Sequence, residues 1–159
     1  MGVLTLKSKY GVLQGAIGGI VGGVALALTS MLGSLILGKG LLHPIILAGY
    51  VFQPYVSDPE MSNTVLLTAI AVHVIASVLG GLLFIFAANT FLNGRNMWLW
   101  GMVVAGIYWL FAVLGGIQTV DPTMAAHMNH IGLFLGYMAY GAAMGAYVGR
   151  THHHHEVKH

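Results

Sequence analysis

The chain predicts an all-α fold, an integral-membrane four-helix bundle, and three observations carry that prediction. Hydrophobic residues make up 57% of its 159 residues and charged ones 6%, whereas about a quarter of an average soluble domain is charged. Four apolar stretches, at about 11–37, 63–92, 97–120 and 122–149, are each long enough to cross a hydrocarbon core ~30 Å thick at ~1.5 Å of rise per residue. Within them glycine recurs at four-residue spacing, the pattern of a glycine zipper that lets helix backbones approach closely.

Composition also excludes whole classes of chemistry. With no cysteine, disulfides, thiolate metal sites, iron–sulfur ligation and cysteine nucleophiles are out. The Lys and Arg residues are scattered rather than gathered in a patch, so nucleic acid is not an expected partner. The first apolar run is too long for the core of a signal peptide and has no cleavage site of the usual kind, so the N-terminus is expected to stay on.

Taken in order, the elements each have a local reason. Lys7 and Lys9 precede the first span and act as a charged anchor. Gly15, Gly19 and Gly23, continued by Ala27, put a row without side chains on one face of that span. The long connection from Gly38 to Met61 is apolar at first and then broken by Pro44, Pro54 and Pro59. A short interfacial or re-entrant segment near Ile45 to Phe52 is expected there, followed by an aqueous loop with Asp58 and Glu60. The second span begins at Asn63, and Asn93-Gly94-Arg95-Asn96 after it reads as a tight turn, making the second and third spans antiparallel neighbours. Trp98 and Trp100 suit the headgroup level at the start of the third span, and deeper Trp109 reads as packing. Asp121-Pro122 reads as the start of the fourth span, Asp as cap and Pro in the first turn. Gly132 and Gly136, then Gly141, Gly145 and Gly149, recur along it.

Four spans put both termini on one side. Lys7, Lys9, Arg95, Arg150 and Lys158 fall there, against Lys39 with Asp58, Glu60 and Asp121 opposite. The positive-inside rule therefore predicts cytoplasmic termini in a cell (inner) membrane. The tail at 152–159, HHHHEVKH, is a metal-binding composition that suits either a native segment or a purification tag.

The chemistry rests on histidine. His73 lies mid-span, and its i±4 row of Ala69, Ser77 and Gly81 marks a face turned into a helix interface. An ionisable group at that depth is costly unless partnered. Counted from Asn63 and Asp121, His73 and His130 come out at one level, ~14 Å below the helix ends. His127 shares a face with His130, one turn nearer the surface. Three readings follow: His73 and His130 ligate a haem b iron from opposite helices; His73, His127 and His130 hold a Cu or Zn ion; or the imidazoles only bridge helices by hydrogen bonds, with Ser77, Asn129 or a backbone carbonyl as partner. His43 belongs to the loop on the same side. There is no phosphate-binding glycine loop, nucleophile elbow or zinc-protease motif. No carboxylate lies at membrane depth either, which disfavours a proton-coupled carrier.

His73 followed by Gly80-Gly81, with the closing run Tyr140-Gly141-Ala142-Ala143-Met144-Gly145-Ala146-Tyr147-Val148-Gly149-Arg150, resembles the YagU-like group of small four-helix bacterial inner-membrane proteins. The likeness covers the first, second and fourth spans, and His127 and His130 match no motif of that group. It implies a four-span bundle and leaves the chemistry open.

The functional expectation is an accessory, non-catalytic subunit of a larger membrane complex, of the redox (respiratory) or metalloenzyme kind, holding haem or metal through buried histidines. Its partners would be the lipid bilayer and other membrane subunits or further copies of itself. The alternatives are an oligomeric channel or small-solute transporter, and a purely structural bundle subunit.

Overall fold

In the computed structural model, the residues described are 10–52, 60–92, 96–117, 119, 125 and 128–156. They form five helices and, among the described residues, no strand: α1 (Val12–Ile36), α2 (His43–Gly49), α3 (Asn63–Phe91), α4 (Met97–Trp109, continued by a π-helical segment Leu110–Ile117) and α5 (His130–Glu156). Val12–Ile36, Asn63–Phe91, Met97–Ile117 and His130–Thr151 are long and apolar enough to span a membrane. The end of the bundle that carries α2 also carries the start of α3 and of α5; the start of α1 and the late part of α5 meet at the opposite end.

Local chemistry fixes the ends of these helices. The Gln14 side chain accepts a hydrogen bond from Gly11 N at 2.9 Å and donates to Thr151 Oγ1 at 3.1 Å, so the cap of α1 also ties α1 to α5. Gly38, with φ +70°, stops α1 in the left-handed conformation that glycine adopts without a Cβ clash. Pro44 sits in the first turn of α2, where its missing N–H leaves nothing unsatisfied. Ser62 Oγ accepts from Val65 N at 3.2 Å and caps α3. Near the other end of α3, Asn89 takes Tyr10 in a two-bond grip, accepting from its N–H at 2.9 Å and donating to its carbonyl at 3.1 Å. That grip sets where the chain enters α1.

Glycine selects which helices touch. A Cβ on Gly19 would strike the Ser77 carbonyl, and one on Gly15 would lie 2.5 Å from Ile85 Cγ1 and 3.0 Å from the Gly81 carbonyl oxygen. The Gly15, Gly19 and Gly23 face of α1 is therefore laid on α3. A second face, Gly18 and Gly22, meets Val148 and Tyr140 of α5. On α4, Gly101 packs against Gly141 of α5 with backbone on backbone, and Gly145 against the Met97 carbonyl. The lateral order is α3, α1, α5, α4. Phe84, Met144, Val148 and Tyr140 fill the shared core.

Three features differ from the sequence-based expectation. The second and third spans, α3 and α4, touch far less than α4 and α5 do, because the glycines of α4 face α5. The third span is α-helical only to Trp109 and π-helical beyond. Gly115 and Gly116 supply no side chains to favour the α register there, and Thr119 Oγ1 donates to the Gly115 carbonyl at 2.6 Å. The described part of α5 begins at His130 and continues to Glu156, past Gly149. Asn129 provides its cap, Oδ1 accepting from Gly132 N at 3.1 Å. The Asp121-Pro122 start signal, Asn93 to Arg95 of the turn, and Asp58 all lie outside the described residues.

Candidate functional site

The site is built on α3 between His73 and Ser77. His73 faces α1, where Gly23 has no side chain and the ring closes on the backbone. Its Nε2 lies 2.9 Å from the Gly23 carbonyl oxygen. A carbonyl only accepts, so Nε2 carries a proton and donates, and Nδ1 is the second ring nitrogen. Among the described residues no hydrogen bond reaches that Nδ1.

One turn on, two tyrosines from other spans close on the same stretch of α3. Tyr140 of α5 donates to the Ser77 carbonyl at 2.7 Å in a buried bond. Tyr108 of α4 reaches the Ala76 carbonyl at 3.4 Å, a longer and weaker contact. Gly80 gives Tyr140 its room, since a Cβ there would lie 2.5 Å from the hydroxyl. Tyr137 completes an aromatic arc, edge-on to Tyr108 at 5.7 Å between centroids and tilted to Tyr140 at 6.4 Å. All four spans thus meet at one level of α3.

Between this level and α2 lies a cavity of about 490 Å³, within the range in which small-molecule pockets fall. Leu26 and Ala27 of α1, Leu47 and Ala48 of α2, and Ala69 and Ile70 of α3 give it an apolar wall. Its polar side chains are His73, Asn129, the tyrosines Tyr108, Tyr137 and Tyr140, and the serines Ser30, Ser34 and Ser77, with Lys39 and His43 at the α2 end. The Ser30 hydroxyl oxygen is buried and has no hydrogen-bond partner among the described residues. Burial, and then the Lys39 ammonium, hold the His43 imidazole below its ordinary pKa of 6.5; both disfavour a second positive charge.

Of the two sequence candidates among the described residues, His73 and His130, His73 is the one on the cavity wall. His130 is the first residue of α5 rather than nine residues deep in it, because the helix starts at Asn129. The equal-depth argument for His73 and His130 therefore fails with the helix boundary on which it was counted. His130 is half-buried, its Nδ1 is buried without a hydrogen-bond partner among the described residues, and it is not part of the cavity lining. His127 lies outside the described residues. Among the described residues no group of three His, Asp or Glu side chains is placed to hold a metal. Trp109 packs edge-on to Phe134 at 5.2 Å. The tyrosines and Ser30 are site residues that the histidine-centred reading passed over. The signal was there in Tyr137 and Tyr140, three apart on one helix face inside an apolar run.

A comparison of the sequence with known families decides its kinship. The family DUF6789, described as a family of unknown function, matches residues 10–159. The chain belongs to DUF6789. No curated protein and no solved structure matches it. The DUF6789 match takes in every described helix, so cavity, tyrosine arc and His73 all lie within the family region.

Proposed function

We propose that this protein is an integral-membrane bundle that holds a small, largely apolar molecule between its spans, and that it does so as a non-catalytic subunit of a larger membrane assembly. The observation that carries the proposal is the cavity of about 490 Å³ reached by all four spans, largely apolar with converging polar side chains, as ligand sites between the helices of bundles are. Support for the subunit role is the small share of the sequence that lies outside the apolar spans, which leaves little for independent chemistry. The resemblance to YagU-like bundles belongs to the same reading, as does placement in a cell (inner) membrane with both termini cytoplasmic. A channel or carrier is less well supported, because no Asp or Glu occurs between Met61 and Val120.

The test is purification from native membranes in mild detergent, followed by mass spectrometry of bound small molecules. A stoichiometric, apolar organic molecule is expected with the unaltered chain and is lost in Ala27→Phe, which fills the cavity from α1. A chain that carries nothing beyond bulk lipid, and is indistinguishable from Ala27→Phe, sinks the proposal.

A metal or haem reading of the same subunit is favoured by one observation, the two imidazole nitrogens without hydrogen-bond partners among the described residues, Nδ1 of His73 and Nδ1 of His130. An absorption spectrum and metal analysis decide it. Bound haem, Cu or Zn that disappears in His73→Ala would establish it, and a protein free of both would leave His73 as an interhelical hydrogen-bonding group.

A further inference from the structure

Granted the ligand-holding reading above, the cavity needs a way in, and α2 covers one end of it through Pro44, Leu47 and Ala48. We infer that α2 is a hinged lid: it pivots where Gly49 rests on α3, and its His43 end swings away from α1 by rotation at Gly40. The two ends of α2 are held very differently. At the Gly49 end the backbone lies directly on α3, since a Cβ on Gly49 would strike the Val65 carbonyl. The Tyr50 hydroxyl adds a hydrogen bond to the Glu60 carbonyl at 3.4 Å. At the His43 end, no hydrogen bond among the described residues joins 41–48 to α1, α4 or α5, and α2 packs on α1 far less than on α3.

The link between α1 and α2 supplies the hinge. Gly38 belongs to the cap of α1, fixed by bonds from Gly38 N to the Leu35 carbonyl and from Lys39 N to the Ser34 carbonyl, both 3.0 Å. Among the described residues Gly40 has no such cap bonds. Its φ is +85°, a Cβ there would meet nothing within 4 Å, and its carbonyl accepts from His43 N at 3.4 Å, a long bond. Glycine at that position therefore serves the backbone angle and not packing, as suits a hinge residue beside a lid. A swing of the His43 end breaks that one long bond and uncovers Leu47, which is 8% exposed with α2 seated. The mouth so opened lies between α2 and α1, beside Met31 and Ser34 of the cavity wall.

The chain has no cysteine, so an introduced one is the sole thiol, and the experiment uses the full chain in lipid nanodiscs without added ligand. Ala69→Cys sits on the cavity wall, and Ala88→Cys in the core toward the other end of α3; the two positions are 3% and 0% exposed. A charged, water-soluble methanethiosulfonate is expected to modify Ala69→Cys about tenfold faster than Ala88→Cys or more, because a local opening costs less than opening the core. Gly40→Ala places a Cβ at a positive φ and so disfavours the seated lid; it should speed modification of Ala69→Cys several-fold and leave Ala88→Cys unchanged. Gly33→Ala, whose Cβ meets open space on α1, should change neither. Spin labels at exposed positions report the pivot: paired with a label at Val12, one at Leu41 should give a broad or two-peaked distance distribution and one at Phe52 a narrow one. Equal rates at the two cysteines, no response to Gly40→Ala, equal acceleration of both cysteines, or a distribution at Phe52 as broad as that at Leu41 each overturn the lid. None of these readouts needs a ligand, so a lid that opens over a cavity that purifies empty overturns the ligand-holding reading alone.

Discussion

His73 shows how little a half-buried imidazole needs in order to be stable inside an apolar span. One hydrogen bond to a backbone carbonyl at 2.9 Å satisfies one nitrogen, and the absence of a Cβ at Gly23 makes that approach available. The inward face of His73 was legible in advance, because Ala69, Ser77 and Gly81 mark it with small residues. The level of His130 was not, because it depended on a helix start at Asp121 and the described helix is capped by Asn129 instead. The tyrosine arc was hidden for another reason: tyrosine in a span suits the headgroup level as well as a buried hydrogen bond, and only the packing tells them apart. Tyr140→Phe tests the strongest of these bonds. It removes the 2.7 Å hydrogen bond to the Ser77 carbonyl with little change in volume, and a loss of about 1 kcal/mol is expected in reversible unfolding from mixed micelles. A variant as stable as the parent would show that the bond adds nothing net. At the α2 end, the His43 pKa lies below the 6.5 of the unfolded chain. As pH falls through 6.5 the unfolded chain binds a proton that the folded one resists, so stability falls as well. The protection of the α2 amides, measured as exchange rate relative to the intrinsic rate at each pH, should therefore fall between pH 7.5 and 5.5, and His43→Asn should abolish that fall. Unchanged protection in the parent would contradict the direction of the shift.

At the scale of the helix, existence was easy to read and partnership was not. A long apolar run must satisfy its own backbone in lipid, so it must be helical, and all four spans could be placed from that alone. Which helix a span touches depends on which of its glycine faces meets which neighbour. Here α1 has two such faces, Gly15, Gly19 and Gly23 toward α3 and Gly18 and Gly22 toward α5, and periodicity does not assign them. The pairing of α3 with α4 expected from the short turn is accordingly weak, and the change to π geometry after Trp109 has no periodic signature. Substitution separates contact faces from lipid faces. Gly19→Leu would drive a side chain into the Ser77 backbone, whereas Val24 is 55% exposed. Gly19→Leu is expected to cost about 1–3 kcal/mol or more, and Val24→Leu less than about 0.5 kcal/mol. Equal losses in the two variants would mean that the α1–α3 contact is not as close as described.

For the whole molecule, the proposed orientation makes a single prediction with several readouts. Reporter fusions after Arg150 and within the turn at 93–96 should report the cytoplasm, and a fusion near Asp58 the opposite side. The inverse pattern would put the cavity and α2 on the cytoplasmic side and change which pool of small molecules reaches them.

The lateral order α3, α1, α5, α4 also bears on how the protein is made. Helices leave the ribosome in chain order, at roughly 5–20 residues per second. The first helix finds its partner as soon as α3 emerges, but one of its two glycine faces stays bare until the last helix arrives. The third span is in a harder position: its glycine partner is the helix still being synthesised, so for several seconds it lies in lipid as a nearly solitary segment. Biogenesis should therefore pass through a paired α1–α3 hairpin with α4 loose beside it, the state in which a membrane insertase or quality-control protease would meet this chain. Chains truncated after Val120 and extended by a flexible linker long enough to clear the ribosomal tunnel should crosslink readily between Gly19 and Ser77 positions, and α4 in those chains should crosslink to lipid and to insertion machinery instead.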